Sequence, residues 1–240
     1  MKTPLINLLT IAVKKAANNV IRDFNEIDFL LNNPTAALNF ATTSNIRAQK
    51  TIFEDLMKFK SNYSAIFKNL ELVDNKDKSN FFIINGILGM KNFSKGIPNF
   101  CISAALERDS KIFTSVIFNP ITNDLFIAEQ GNGAYHNNRR IRISEARISE
   151  SEHNIVSTDL DYASSAKKTK NNFYISNCKA LDICYLASNK INDCFYKAST
   201  PAYDLLPSLL IANEAGYIFD IKYDETKKEK TIIELSNKNI

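Results

Sequence analysis

The sequence predicts a layered fold of the α/β (α+β) class with two β-sheets, and three observations carry that expectation. Apolar residues at Leu5, Leu8, Leu9, Ala12, Val13, Ala16 and Val20 recur at helical spacing. The stretch from Phe100 to Ser144 alternates β-runs with turn residues at Arg108-Asp109-Ser110, Asn119-Pro120 and Asn132-Gly133, the pattern of an antiparallel meander. Beyond it, β-runs and helical segments alternate along the chain.

Taken in order, the first helix is expected over residues 4–23. Lys2 followed by apolar residues has the outline of a secretory leader, but the run is short and Lys14-Lys15 interrupt it, so the segment reads as an amphipathic helix of the fold. A polar linker, NNPTAALNFATTSN, is expected next. A second helix is then expected to start near Asn45 as its N-cap and to run through IRAQKTIFEDLMKF. A short strand is expected at Ala65–Phe67 and a charged surface loop at NKDKSN. Strand Phe81–Ile84 leads into FFIINGILGMKNF, where the pattern predicts a break at Asn85-Gly86 and a turn at Gly89. After the meander, strands are expected near Asn154–Ser157, Phe173–Ile175, Asp193–Tyr196 and Tyr217–Ile221. Helices are expected over Lys179–Ser188 and Tyr203–Glu214, with a polar, Lys-rich tail, including KYDETKKEK, at the end. Asp204 suits the N-cap of the last helix, Pro207 its first turn and Gly216 the left-handed position past its end.

The chain of 240 residues is 45% apolar, enough for a sizeable core in one large domain or two intimate lobes. Its formal net charge of +4 comes from 30 basic and 26 acidic residues spread along the chain. Direct nucleic-acid binding is not expected from such a distribution. Arg140 and Arg142 share a strand face that reads as solvated, with a partner site as the sharper alternative. His136 and His153 are expected in surface loops. Cys101, Cys178, Cys184 and Cys194 match no zinc spacing and sit among apolar residues, as buried reduced thiols in a reducing cytoplasm would. No apolar run approaches the ~20 residues that span a bilayer.

From Gly86 onward, GILGMKNFSKGIPNFCISAALERDSKIFTSVIFNPITNDLFIAEQGNGAYHNNRRIRIS resembles the inositol monophosphatase family, and most of all its bacterial extragenic-suppressor branch. The family reads Asp-Pro-(Ile/Leu)-Asp-Gly-Thr-x-Asn-Phe where this chain has Asn85-Gly86-Ile87-Leu88-Gly89-Met90-Lys91-Asn92-Phe93. Its second signature, Trp-Asp-x-Ala-Ala-Gly followed by Glu-Ala-Gly-Gly, falls on Tyr203-Asp204-Leu205-Leu206-Pro207-Ser208 and Glu214-Ala215-Gly216-Tyr217. The segment KALDICYLAS also matches. The likeness covers nearly the whole chain in order and spacing. It implies a five-layered αβαβα sandwich, commonly dimeric. It further implies a single domain over 1–240, with an N-terminal α+β lobe to about 145 and a C-terminal α/β lobe from about 146.

The family hydrolyses phosphate monoesters with Mg²⁺, a hard cation that prefers clustered carboxylate oxygens. Carried over by position, its first aspartate falls on Asn85 and its second on Leu88. The backbone carbonyl ligand falls on Ile87, and the threonine that positions the attacking water on Met90. The metal-binding glutamate falls on Asn69, or on Glu71 if the alignment shifts. The aspartate of a Ser-x-x-Asp context falls on Asn45 or Ser44. Asp204 stands unchanged, as a site remnant or as a helix cap. Gly89 keeps the phosphate-binding turn. The run lining the inositol pocket falls on Asn177-Cys178-Lys179. The glutamate that binds an inositol hydroxyl, seven residues before Asp204, falls on Lys197. Lys91, Lys95 and Lys197 together read as a basic pocket that could still attract an anion.

Each lost ligand removes roughly several kcal/mol of metal binding. The resemblance with these departures therefore implies a non-catalytic homologue that needs no cofactor and acts through partner binding. By carry-over from the extragenic-suppressor branch, the partner belongs to the transcription machinery, and the chain is a homodimer. The alternative is a weak Mg²⁺-dependent phosphomonoesterase acting on inositol monophosphate or a similar ester through Asp204, the Ile87 carbonyl, Asn85 and Glu71.

Overall fold

Two long helices open the chain because each begins with a side-chain cap and a proline. In α1 (Pro4–Glu26) the Thr3 hydroxyl accepts from the Ile6 N–H at 3.3 Å. In α2 (Pro34–Met57) the Asn33 carboxamide oxygen accepts from the Ala36 N–H at 3.1 Å. Proline suits the first helical position, where its missing N–H is not needed. The second helix therefore starts at Pro34 and not near Asn45, and the expected linker is helical. Its Thr and Asn residues made it look polar, but Ala37, Ala41, Ala48 and Ile52 form a buried stripe. The computed structural model describes residues 3–67, 72–75, 77–143, 154–165, 172–197, 199–226 and 231–237.

The first sheet holds β1 (Tyr63–Phe67), β2 (Leu72–Val73), β3 (Asp77–Leu88), β4 (Cys101–Arg108), β5 (Lys111–Asn119), β6 (Asp124–Glu129), β7 (Gly133–His136) and β8 (Arg139–Ile141). Their spatial order is β2-β1-β3-β4-β5-β6-β7-β8, and β1 with β3 is its parallel pair. The hairpin turns at Asp109-Ser110 and Asn137-Asn138 have positive φ at both residues, as tight turns between twisted strands require. The second of these turns was not anticipated. The expected surface loop NKDKSN is part strand. β3 begins at Asp77, whose carboxylate accepts from the backbone and side chains of Ser79 and Asn80.

The second sheet holds β9 (Ile155–Thr158), β10 (Asn172–Tyr174), β11 (Asp193–Tyr196), β12 (Thr200–Pro201), β13 (Phe219–Tyr223) and β14 (Thr231–Asn237). The order is β10-β9-β11-β14-β12, with β13 also on β14. The expected polar tail thus contains a seven-residue strand that joins three neighbours. A bulge where Lys222 and Tyr223 pair with Glu234 and Ile232 breaks its alternation, and this hid the strand among lysines.

Short α3 (Met90–Phe93) follows β3, and α4 (Leu160–Ser165), α5 (Lys179–Ala187) and α6 (Ala202–Glu214) belong to the second half. Helices α1 and α2 cover one face of the first sheet around Ile84, Ile102 and Val116. The other face, with Leu88, Cys101, Ile117 and Phe126, shares a second core with α5, α6 and residues Cys194, Ile232 and Leu235 of the second sheet. Helix α4 lies outside that sheet, where the Tyr162 ring stacks on Phe195 at 5.2 Å. The layers run αβαβα, as the resemblance implies.

Helix α6 ends as expected. Gly216 has φ 105°, its N–H donates to the Asn213 carbonyl, and the Tyr217 N–H donates to the Ala212 carbonyl. The Glu214 carboxylate accepts from the N–H groups of Gly131 and Gly133 at 2.9 and 2.8 Å, tying α6 to the first sheet. His136 lies on a strand, not in a loop. Its Nε2 is 2.6 Å from Asp124 Oδ1, and its ring stacks on Phe126. Arg140 and Arg142 are exposed. His153 lies outside the described residues. Among the described residues no helix is long and apolar enough to cross a membrane.

Candidate functional site

The candidate site forms where β3 leaves the first sheet. Strand β3 does not break at Asn85-Gly86. It continues to Leu88 through a bulge, with Asn85 opposite Ser103 and Leu88 opposite Cys101. Helix α2 clamps the bulge. The Asn45 carboxamide oxygen accepts from the Ile87 N–H at 2.7 Å. A Cβ on Gly86 would lie 2.2 Å from the Asn45 carbonyl oxygen, so only glycine allows the approach. Asn45 is therefore a mid-helix clamp, not a cap. Beyond it, Gly89 at φ 91° turns the chain into α3. The Asn92 amide then donates to the carbonyls of Asn99 and Ser176, binding the turn to the second half.

The turn faces a cleft of about 460 Å³. Its lining brings together Leu88, Gly89, Met90, Lys91, Asn177, Cys178, Lys179 and Asp204, all singled out in the sequence. Asp204 is not a helix cap. Pro201 holds that position, and Asp204 lies in the first turn of α6, on the cleft wall.

Asn85 is fully buried, and its amide donates to the Tyr203 carbonyl at 3.0 Å. The reason lies in α6. Pro207 is inside that helix, four residues after Tyr203, and not in its first turn as the sequence suggested. Proline has no N–H to give the carbonyl four residues back. Asn85 supplies the missing donor across the layer. The amide's own oxygen, Oδ1, is buried with no hydrogen-bond partner, so the bond to Tyr203 is what sets the side chain's orientation.

These residues do not fit a Mg²⁺ centre. Asn85 presents its amide to a backbone carbonyl. Leu88 contributes an apolar side chain to the inner core, Met90 offers no oxygen, and Asp204 is one carboxylate. Among the described residues, no group of three His, Cys, Asp or Glu side chains could hold a metal ion. Asn69 and Glu71 lie outside the described residues.

The charges on the cleft wall also differ from expectation. Lys197 is not part of the lining; its ammonium sits 5.5 Å over the Tyr162 ring, and its N–H donates to Asp159. Lys95 is exposed away from the lining, whereas Lys91 belongs to it. The buried-side cation is Lys179, bonded to Asp159 at 3.0 Å and to the Thr200 hydroxyl at 3.1 Å. Asp182, also on the wall, accepts from the hydroxyls of Ser157, Ser176 and Tyr196. Burial pushes its pKa up to about 6 against the lowering effect of those hydroxyls and Lys179. Asp159 and Asp182 escaped the sequence reading, although an aspartate inside the apolar run KALDICYLAS is itself a sign of a buried carboxylate.

A protein from Rhizobium meliloti described as inositol-1-monophosphatase is 29% identical over 231 residues, which span 90% of this chain and 84% of that protein. The Vibrio cholerae protein named Nus factor SuhB is 27% identical across 90% of this chain and 84% of its own length. The crystal structure of extragenic suppressor protein suhB from Bartonella henselae superposes with a TM-score of 0.80 at 25% identity, covering 100% of this chain and 94% of that one. The family model described as "Inositol monophosphatase family" matches residues 1–236, and the chain therefore belongs to the inositol monophosphatase family.

Proposed function

We propose that this chain is a non-catalytic member of the family that acts by binding a protein partner. The observation that carries this reading is the use of Asn85. Its position is that of the family's first aspartate, yet its amide is bound to the Tyr203 carbonyl that Pro207 leaves without a helical donor. Leu88, at the second aspartate position, is packed in the core. Relatives named Nus factor SuhB support a partner in the transcription machinery. In this reading the chain works in the cytoplasm, as a homodimer of one two-lobed domain dividing near residue 145, without a cofactor. The second reading, a weak Mg²⁺-dependent phosphomonoesterase, is favoured by Asp204 on the cleft wall beside Gly89 and by relatives named inositol-1-monophosphatase.

Phosphate release from inositol monophosphate with Mg²⁺ or Mn²⁺ separates the two. The wild-type chain is expected to release none above blank. The revertant Asn85→Asp, Leu88→Asp, Met90→Thr needs Pro207→Ala beside it, so that Tyr203 regains a donor. Metal-dependent turnover by the wild type that disappears in Asp204→Ala would overturn the proposal. Pull-down with the wild-type chain, probed for RNA polymerase and ribosomal components, tests the partner.

A further inference from the structure

We propose that Cys101 and Cys178 are an oxidisable thiol pair whose disulfide ties the first sheet to the wall of the cleft. The two sulfurs lie 3.9 Å apart, although the residues are 77 positions apart in the chain. Cys101 opens β4, opposite Leu88 in the bulge. Cys178 precedes the nine-residue helix α5 and lines the cleft. Both sulfurs therefore sit on elements whose positions the layers already define. A disulfide needs the sulfurs at about 2.0 Å, so roughly 1 Å of movement by each, through side-chain rotation, closes the bond.

Of the four cysteines only Cys178 lines the cleft; Cys101, Cys184 and Cys194 are fully buried and do not. Burial also holds the Cys184 thiol well above its ordinary pKa, which disfavours the reactive thiolate. The sulfur that meets a small oxidant is that of Cys178, on the cleft wall. Intracellular disulfides of this kind are transient and redox-sensing more often than structural.

The oxidant is a peroxide. Cys178 loses its proton to solvent, and its sulfur attacks one peroxide oxygen. The O–O bond breaks, hydroxide leaves and takes up a proton as water, and Cys178 is left as a sulfenic acid. The Cys101 sulfur then gives up its proton and attacks the Cys178 sulfur. The S–O bond breaks and a second water leaves. In sum, two thiols and one hydrogen peroxide become one disulfide and two waters. The bond consumes the Cys178 S–H, and with it the hydrogen bond that this thiol donates to the Leu88 carbonyl at 3.5 Å. It does so beside Gly89, where even an added Cβ would lie 3.2 Å from that sulfur. The pair's oxidation state is thereby felt at the turn that walls the cleft. The inference does not depend on whether the chain is catalytic.

The test is peptide mapping of the folded full-length chain after mild hydrogen peroxide, alkylation and non-reducing digestion. A Cys101–Cys178 linked peptide is expected as the dominant crosslink, reversible by a thiol reductant. Dimedone is expected to label Cys178 in Cys101→Ala, because no second sulfur remains to resolve the sulfenic acid, and not to label Cys101 in Cys178→Ser. Circular dichroism establishes that each variant is folded, and the wild-type mapping stands without them. A dominant Cys184–Cys194 link, or full alkylation of Cys101 and Cys178 on unfolding after peroxide treatment, would overturn the proposal.

Discussion

Asn85→Asp keeps the size and shape of the side chain and exchanges a hydrogen-bond donor for a charge. The resemblance to the family places an aspartate at this position, so likeness alone would predict a harmless reversion. The structure predicts the opposite. Asn85 is fully buried, and its amide is 3.0 Å from the Tyr203 carbonyl. At neutral pH the substitution sets a carboxylate oxygen against that carbonyl, and Pro207 prevents the helix from supplying another donor. An unsatisfied buried carbonyl and a buried carboxylate without a counter-charge together cost about 3–5 kcal/mol. For a chain of this size that corresponds to a fall in Tm of roughly 6–20 °C. Pro207→Ala returns an N–H to Tyr203. It stabilises the wild-type background through helix propensity, and it stabilises the Asn85→Asp background by about 1–2 kcal/mol more, because only there was the carbonyl lacking a donor.

The pH dependence has a definite sign. Burial and the facing carbonyl raise the introduced carboxyl's folded-state pKa above its unfolded value of about 3.9, so the folded state binds more protons. The deficit is small below that pH and grows as pH rises through the folded-state pKa. Urea unfolding of the four chains of the cycle, followed by circular dichroism at acid and at neutral pH, measures each quantity. Unchanged stability in Asn85→Asp, or equal effects of Pro207→Ala in both backgrounds, would refute the reasoning.

Three further outcomes follow from the same geometry. Gly86→Ala forces a Cβ to 2.2 Å from the Asn45 carbonyl; the chain is expected to lose more than about 3 kcal/mol or fail to accumulate as folded protein, read by thermal melts and soluble yield. Asp182 has its pKa raised to about 6, so the stability tied to its protonation is full below the ordinary carboxylate pKa and is lost as pH rises through about 6. Asp182→Asn removes that slope, and unfolding free energies from urea titrations should move in the variant's favour by about 3 kcal/mol between acid and neutral pH. Glu214→Ala frees the N–H groups of Gly131 and Gly133 from their carboxylate; a loss of about 1–2 kcal/mol is expected, with faster amide exchange at the β6–β7 turn.

Much of the fold was legible in the sequence because its determinants are local. Helical periodicity marked α1, turn residues marked the meander, and the apolar runs located β11 and α5. The spacing around Gly89, Asn92 and Asp204 was enough to identify the family and the cleft. Local signals also misled where two readings competed. Asn45 resembles a cap, but Asn33-Pro34 is the better start. The lysines around β14 outweighed its short apolar pattern.

The chemistry of the candidate site depended on partners that no local pattern reveals. The sequence by itself determined that Asn85, Leu88 and Met90 stand where the resemblance places the family's oxygen ligands, because residue identity needs no coordinates. Only the tertiary structure decided what those residues do instead. It placed Asn85 against a carbonyl 118 residues away that Pro207 had left without a donor. It put Lys179, not Lys197, on the cleft wall, and brought Cys101 to Cys178. Each of these is a contact between different layers, set by how the sheets and helices stack and not by spacing along the chain.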